Sequence, residues 1–400
     1  MKLRLIPSTP LGQICVPPSK SMAHRLLICA ALAEGISVVE NVDFSQDIAA
    51  TCDCLRALGA DFCVRGNTVT VTGCGGHPRP SGLLPCRESG STLRFMIPLC
   101  LFGEKATLTG SDRLMERPLS VYEDLFAARG ISLLRERGKV TVEGRLSSGT
   151  VSLPGNVSSQ FLTGLLFLLP LLEGESRIQC TTPLESASYL DLTLSALETF
   201  GVTVSWDGDR TFVVPGGQTY RPRTVTVEGD ESNAAFFGAL GALGYDVTLT
   251  GRNPETLQGD RVWEEYFSAL AKGNCTLSVA DCPDLAPILM TVACLCHGAT
   301  LTHTHRLKIK ESDRGAVMAE ELAKFGAEIT VEEDAIHIKK SSLHPPSAPL
   351  SGHNDHRVVM SMAVMGIRYG GILEGAEAVS KSFPAFFEHM KQLNVGMEEL

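Results

Sequence analysis

Positive charge is scarce in this sequence. Among 400 residues, 35 Lys and Arg face 45 Asp and Glu, a formal net charge of −10. That balance speaks against a general nucleic-acid or acidic-membrane surface. A small anionic substrate fits it only where basic residues gather locally. Long apolar runs are missing as well. The longest, Phe161 to Leu172, has 12 residues and contains Pro170; it is too short to cross a bilayer and predicts a buried helix. The opening MKLRLIPSTP has no apolar signal core and no cleavage site, so export is not expected and a cytoplasmic location is. The 13 cysteines are odd in number, and Cys29, Cys100, Cys294 and Cys296 lie in apolar runs. Cys52/Cys54 and Cys294/Cys296 are spaced C-x-C, not the C-x₂-C of zinc sites, so the cysteines read as reduced packing residues. Neither the G-x₄-G-K-[ST] nucleotide loop nor a G-x-S-x-G nucleophile turn occurs. His303 with His305, and His353 with His356, lack a sequence-local third ligand, so no metal is expected.

The remaining composition, 44% hydrophobic and 20% charged, is that of an ordinary globular protein long enough for two domains or more. One phrase recurs along it: apolar helix, glycine, strand, tight turn, strand. Its instances are LRALGADFCVRGNTVTV, LFAARGISLLRERGKVTV, LSALETFGVTVSWDGDRTFVV, FSALAKGNCTLSV, LAKFGAEITVEEDAIHI and MKQLNVGMEEL. The punctuating glycines are Gly59, Gly130, Gly201, Gly273, Gly326 and Gly396, spaced by 71, 71, 72, 53 and 70 residues. Such regularity is the mark of a repeated supersecondary unit. Gly66-Asn67 and Asp207-Gly208 carry hairpin turn chemistry. Six units predict two α/β domains of three units each. No Ser/Gly-rich linker occurs, so short hinges are expected between them.

The other half of each unit is a helix that opens on polar and basic residues. In PPSKSMAHRLLICAALAEG, Ser19 or Ser21 can cap the helix, and Lys20/His24 and Ser21/Arg25 are four apart. Lys20, Ser21 and Arg25 can therefore face one pocket at a helix start, where free N–H groups and the dipole favour an anion, although a solvated cap would look the same. RESGSTLRFMIPLC crowds Ser89, Gly90, Ser91 and Thr92 at a helix start with Arg94 one turn on, and glycine there lets a ligand approach the backbone. SDRLMERPLS sets Arg113 and Arg117 four apart; if convergent they suit phosphate or carboxylate, and if exposed they are merely solvated. GNVSSQFLTGLLFLLP offers the neutral donors Ser158, Ser159 and Gln160. Further starts carry Asp230, Asp284, the knot Lys310, Glu311, Asp313, Arg314, and Asp355 with His356 and Arg357. All are expected at one phase of the repeat.

Taken together and in order, PPSKSMAHR, ESGSTLR, RLMERP, VSSQFLTGLL, VEGDESNAAFF, KESDR, NDHR and SKSFPAFF resemble the 5-enolpyruvylshikimate-3-phosphate synthase (3-phosphoshikimate 1-carboxyvinyltransferase) family of enolpyruvyl transferases. The matches run from residue 17 to residue 387. The resemblance implies a two-domain inverse α/β barrel of six βαβαββ units, three per domain. One domain would be residues 1–16 plus 229–400, the other 17–228, with the active site in the cleft between them. The implied reaction moves the enolpyruvyl group of phosphoenolpyruvate onto the 5-hydroxyl of shikimate-3-phosphate and releases phosphate, a step of the shikimate pathway. It needs a base for the hydroxyl proton, an acid for the enol methylene, and cations for phosphate and carboxylate.

Carried over by resemblance, Asp284 activates the hydroxyl, and Lys310 and Glu311 handle protons at the enolpyruvyl group. Phosphoenolpyruvate would be held by Lys20, Gly90, Arg117, Gln160, Arg314, Arg357 and Lys381. Shikimate-3-phosphate would be held by Lys20, Ser21, Arg25, Ser158, Ser159, Gln160, Ser186, Tyr189, Asp284 and Lys310. No metal or organic cofactor belongs to this scheme, no nucleic acid or membrane is a partner, and a monomer is implied. Departures from the family pattern are Glu88 for a common asparagine, with Arg87 beside it as a candidate counter-charge, Ser91 for threonine, and Arg306 for an asparagine whose role is not carried over. The sister enzyme acting on UDP-N-acetylglucosamine should carry a cysteine near RLMERP, and none is there. A catalytically dead binding relative should have lost acids, bases or arginines that this chain keeps.

Overall fold

The computed structural model describes residues 1–207 and 210–400; Gly208 of the expected Asp207-Gly208 turn lies outside the described residues. The chain divides into two compact units. A central unit is Pro18–Glu228, and a terminal unit joins Met1–Pro17 to Gly229–Leu400. Each has its own apolar core.

Inside both units one arrangement recurs: strand, helix, strand, helix, hairpin. The first two strands pair in parallel. The second strand of the hairpin lies antiparallel beside them, and its first strand takes the edge. Across one central sheet the strands are thus Leu83–Arg87, Phe102–Gly110, Lys139–Arg145 and Ser132–Glu136. The same order holds for Thr150–Leu153, Ser176–Cys180, Thr211–Val214 and Ser205–Trp206, and for Thr224–Thr226, Ile36–Glu40, Thr68–Thr72 and Asp61–Arg65. In the terminal unit it holds for Cys275–Ser278, Ala299–Thr302, Ala335–Lys339 and Glu328–Val331, and for Leu350–Ser351, Gly371–Glu374, Lys2–Ile6 and Gly396–Glu399. Gly66-Asn67 makes the expected two-residue turn, with Arg65 opposite Thr68.

The sixth repeat is incomplete. Among the described residues its sheet has only Leu11–Cys15 and Asp246–Thr250, paired in parallel. After helix Trp263–Lys272 the chain passes Gly273 and enters Cys275–Ser278, already the first strand of the next repeat. FSALAKGNCTLSV is therefore not a helix followed by a hairpin. This explains the one short glycine spacing, 53 beside neighbours of 70 to 72: a hairpin's length of chain is absent.

Four of the punctuating glycines take the left-handed backbone that ends a helix: Gly59 (φ 104°), Gly130 (66°), Gly201 (80°) and Gly326 (85°). Two do not. Gly273 is extended at φ 164°. Near the C-terminus Asn394 (φ 62°) takes the left-handed position, and Gly396 opens the following strand; asparagine tolerates that region best after glycine.

The run Phe161–Leu172 is the expected buried helix, Ser159–Leu168, extended by the 3₁₀ turn Leu169–Leu171. Among the described residues no helix is long and apolar enough to cross a membrane.

Two parallel strands deliver their following helices from the same carboxyl edge of a sheet. Helix starts therefore gather at that edge from both helices of a repeat. Gly90–Leu99, Ser159–Leu168 and His356–Tyr369 lie between first and second strands in the repeat, and Lys20–Leu32 runs from Leu11–Cys15 into the second strand Ile36–Glu40, whereas Arg314–Ala323 and Ala187–Thr199 lie between the second strand and the hairpin. The expectation of a single phase is corrected accordingly: the charged starts occupy two.

Helices Gly90–Leu99 and Ser159–Leu168 pack so closely that a methyl on Gly164 would lie 2.4 Å from Tyr122 Oη and 2.6 Å from the Arg94 carbonyl oxygen. The buried Tyr122 hydroxyl is 2.9 Å and 3.0 Å from the Arg94 and Phe161 carbonyl oxygens, either of which can accept its proton. Gly164→Ala is expected to destabilise the chain by about 1–3 kcal/mol through overpacking, read as a lower midpoint of thermal unfolding.

Candidate active site

In the terminal unit the site is built at the start of two helices. Asp355 caps His356–Tyr369, its Oδ1 accepting the Arg357 N–H at 2.9 Å. The same fully buried carboxylate accepts from Arg314 Nε (2.8 Å) and Ser312 Oγ (2.9 Å). Arg314 opens Arg314–Ala323, capped in turn by Asp313. Its guanidinium, 2% exposed, also donates to Asp284 Oδ1 (2.8 Å) and Glu311 Oε2 (2.7 Å). Lys310 and Glu311 precede the helix, at the end of the 3₁₀ turn His305–Ile309.

Asp284 has three cationic neighbours. Besides Arg314, Lys310 Nζ donates to Oδ1 at 3.1 Å and Arg357 Nη2 to Oδ2 at 3.3 Å. Arg357 is buried, also donates to the Ser232 carbonyl (3.3 Å), and lies over the Phe236 ring. Its Nε, Ser232 Oγ and Asn233 Oδ1 are buried without protein partners. Unsatisfied donors and acceptors side by side are costly in a core and are commonly completed by a ligand or water. Lys381 Nζ donates to the Asn354 carbonyl at 2.6 Å. Arg306 is buried with its guanidinium on the Ala280 carbonyl.

The electrostatics follow from this geometry. Burial alone would raise the Asp284 carboxyl, but Lys310, Arg357 and Arg314 outweigh it and hold it well below the usual carboxylate range. Asp355 is likewise raised by burial and lowered, on balance, mainly by Arg314. Burial lowers the Lys310 ammonium from its ordinary value; Asp284 opposes that shift and Arg314 reinforces it.

In the central unit Ser19 caps Lys20–Leu32, and Lys20 Nζ pairs with Asp47 Oδ2 at 2.7 Å. Arg25 is buried and faces elsewhere. Nε donates to Thr193 Oγ1 (2.9 Å), Nη1 to the Ser21 carbonyl (2.7 Å) and Nη2 to the Tyr189 carbonyl (2.8 Å). Burial lowers its guanidinium to about 10. Ser186, in the left-handed region at φ 58°, precedes Ala187–Thr199. Ser89 caps Gly90–Leu99 through the Thr92 N–H. A Cβ on Gly90 would stand 2.4 Å from Arg117 Nη1, so the absent side chain makes room for that guanidinium. Ser158 caps Ser159–Leu168, and Gln160 is held at both ends of its amide: Oε1 accepts from Arg94 Nη1 (2.7 Å) and Nε2 donates to Ser91 Oγ (2.9 Å).

Some sequence expectations shift. Arg113 and Arg117 do not converge, because the helix Asp112–Glu116 ends between them; Arg113 is half-exposed on Glu116, whereas Arg117 is buried. Arg87 pairs with Asp53 at 2.6 Å, turned there by its own left-handed backbone at φ 53°. The sequence placed Arg94 and Asp355 at helix starts without a site role and gave no sign of Asp47. Each partners a candidate tens of residues away, which no local motif signals. Glu320, Glu321 and His353 could hold a metal ion by spacing alone. The buried Glu321 carboxylate is, however, met by Lys324 Nζ at 2.8 Å from both oxygens, by His353 and by the Ser351 N–H. An ammonium already stands where a cation would.

A sequence model of the family described as EPSP synthase (3-phosphoshikimate 1-carboxyvinyltransferase) matches residues 7–390. The chain is 41% identical to the 3-phosphoshikimate 1-carboxyvinyltransferase of Clostridium kluyveri, over 97% of this chain and 96% of that protein. It is 38% identical to that of Clostridium botulinum, over 99% and 98%. The latter alignment runs over 424 positions, more than the 400 residues of this chain, so that relative carries residues this chain lacks. Among solved structures, an EPSP synthase from Acinetobacter baumannii superposes with a TM-score of 0.78 at 25% identity, covering 99% of both chains. The enolpyruvyl transferase NikO from Streptomyces tendae gives 0.81 at 16% identity, covering 99% of this chain and 98% of that one, a likeness of fold.

Asp284 and Asp355 have native pKa values below those of the unfolded chain, so stability present above pH ~4 is lost as acid titrates them. Asp355→Asn leaves Arg314 short of a buried counter-charge and is expected to cost about 3 kcal/mol at neutral pH. Urea unfolding midpoints between neutral and acid pH should show that cost shrinking as pH falls from ~4, where the unfolded chain titrates, toward the depressed native pKa of Asp355, where the unmutated fold loses the same interaction.

Proposed function

The chain belongs to the EPSP synthase family and transfers the enolpyruvyl group of phosphoenolpyruvate to the 5-hydroxyl of shikimate-3-phosphate, in the shikimate route to aromatic amino acids; we propose that Asp284, Lys310 and Glu311 carry its proton transfers. The alternative acceptor, UDP-N-acetylglucosamine, is not favoured by the family match or the relatives.

The observation that carries the proposal is Asp284 among three cations, with Lys310 3.1 Å away. In the first half-reaction the 5-oxygen bonds to C2 of phosphoenolpyruvate, its proton passes to Asp284, and a proton is added at the C3 methylene. Burial makes the Lys310 ammonium a stronger acid, which suits that second transfer. In the second half-reaction the C2–O bond to phosphate breaks and the methyl group returns a proton to Lys310 or Glu311. Asp284 alone is a weak base, because its cations stabilise the anion. Anionic substrate groups that engage Arg314, Arg357 or Lys310 would weaken that hold and raise its proton affinity when the hydroxyl arrives.

For phosphoenolpyruvate we propose Lys20, Gly90, Arg117, Gln160, Arg314, Arg357 and Lys381. Support comes from the burial of Arg117, Arg314, Arg357 and Lys381 and from Gly90, whose missing side chain seats the Arg117 guanidinium at a helix start. For shikimate-3-phosphate we propose Lys20, Ser21, Arg25, Ser158, Ser159, Gln160, Ser186 and Tyr189 beside Asp284 and Lys310. Arg25 would act chiefly by fixing the Ser186–Tyr189 segment it already binds. We take the reaction to run in the cytoplasm without a metal or organic cofactor, as the family resemblance implies.

Phosphate release from phosphoenolpyruvate, measured beside both acceptors, tests the reading: turnover is expected with shikimate-3-phosphate and not with UDP-N-acetylglucosamine. Lys310→Met should lower kcat by roughly 10²–10⁴ while circular dichroism keeps the native signal. A folded variant with a near-normal rate removes Lys310 from the chemistry.

A further inference from the structure

We propose that the incomplete sixth repeat is a self-association surface, on which strand Asp246–Thr250 of a second copy of this chain pairs antiparallel with its counterpart about a two-fold axis. In five sheets the outer edge of the second strand is covered by an antiparallel strand from the hairpin. In the sixth, among the described residues, Asp246–Thr250 pairs only with Leu11–Cys15. The missing cover shows in burial. The core-facing residues Val39, Leu108, Ile178, Leu301 and Leu373 on the five complete second strands are all at 0% exposure, whereas Val247 and Leu249 are only half-buried. Beside them runs a groove of about 470 Å³, lined by Val247, Leu249, Trp263, Phe267, Gly241 and Ala271.

What the edge requires is defined by the covering strands themselves. Each presents two apolar residues at alternate positions to its core: Val69 and Val71, Val140 and Val142, Phe212 and Val214, Ile336 and Ile338, Leu3 and Leu5, all at 5% exposure or less. Asp246–Thr250 carries the same pattern in Val247 and Leu249. A two-fold axis makes two copies of one strand antiparallel, and residues opposite each other then share a face. The second copy's Val247 and Leu249 would thus cover the groove while its own groove is covered in return. Hydrogen bonding permits two bonds across the axis. The Thr250 carbonyl accepts from the Val16 N–H at 2.9 Å, which directs residues 246, 248 and 250 toward Leu11–Cys15 and residues 247 and 249 outward. The Val247 N–H already donates to the Tyr245 carbonyl at 2.9 Å, so each Leu249 N–H would donate to the other copy's Val247 carbonyl. The monomer implied by family resemblance would leave this edge bare, a recognised route to unwanted pairing.

Thr248, exposed at the centre of the strand, would face its own copy across the axis as a non-hydrogen-bonded pair, with Cα atoms about 4.5 Å apart, within disulfide reach. Sedimentation velocity over a concentration series is expected to show a dimer of the intact chain. Thr248→Lys opposes two like charges and should weaken that dimer roughly tenfold or more. Thr248→Cys should give a cross-linked dimer under mild oxidation, reversed by dithiothreitol and absent from the unmutated chain treated alike. A chain that stays monomeric throughout leaves the edge to a foreign strand or to nothing and overturns the proposal. So does a dimer that Thr248→Lys leaves intact, or a Thr248→Cys chain that does not cross-link.

Discussion

The terminal half of the candidate site is arranged around one guanidinium. Arg314 meets Asp355, Asp284 and Glu311, and through them fixes a helix cap, a 3₁₀ turn and the loop that carries Lys310. Such a buried network is not a cheap source of stability, since apolar residues of similar volume often serve a core as well. Its effect is to hold charges in position before any ligand arrives. Locally, Lys310, Arg314, Arg357 and Lys381 outnumber Asp284, Glu311 and Asp355 by one. An acidic chain thereby keeps a local cationic excess without presenting a basic surface to nucleic acid.

The central unit solves a related problem with fewer charges. Its helix starts offer hydroxyls, an amide and bare backbone, and the cations nearby are each tied to a definite partner: Lys20 to Asp47, Arg94 to Gln160. The common cause in both units is topological. Because the first two strands of each repeat run parallel, both following helices begin at one edge of the sheet, and side chains far apart in sequence are delivered to it.

The same topology explains what was legible in the sequence. Local features were: helix caps at Ser19, Ser89, Ser158 and Asp355, and the left-handed beats at Gly59, Gly130, Gly201 and Gly326. Gly273 and Gly396 kept the rhythm without the conformation, because one precedes a missing hairpin and the other yields its place to Asn394. Pairings across the fold were not legible. Arg94 with Gln160, Lys20 with Asp47 and Arg314 with Asp355 join segments whose register is set only once the sheets form. The spacing of Arg113 and Arg117 misled because four residues bring side chains together only where the helix persists, and here it stops at Glu116.

Strand Lys2–Ile6 lies between Gly371–Glu374 and Gly396–Glu399, with Leu3 opposite both Leu373 and Glu399. During translation Lys2–Ile6 therefore leaves the ribosome long before Gly371–Glu374 and Gly396–Glu399, the strands that flank it. At about 5–20 residues per second, synthesis of the intervening ~370 residues takes roughly 20–70 seconds. The central unit, a single continuous stretch of chain, can close on itself in that interval. Leu3 and Leu5, buried in the finished fold, have no cover from their own unit until its far end is made. The order in which the halves mature is thus written into where the first strand finds its neighbours.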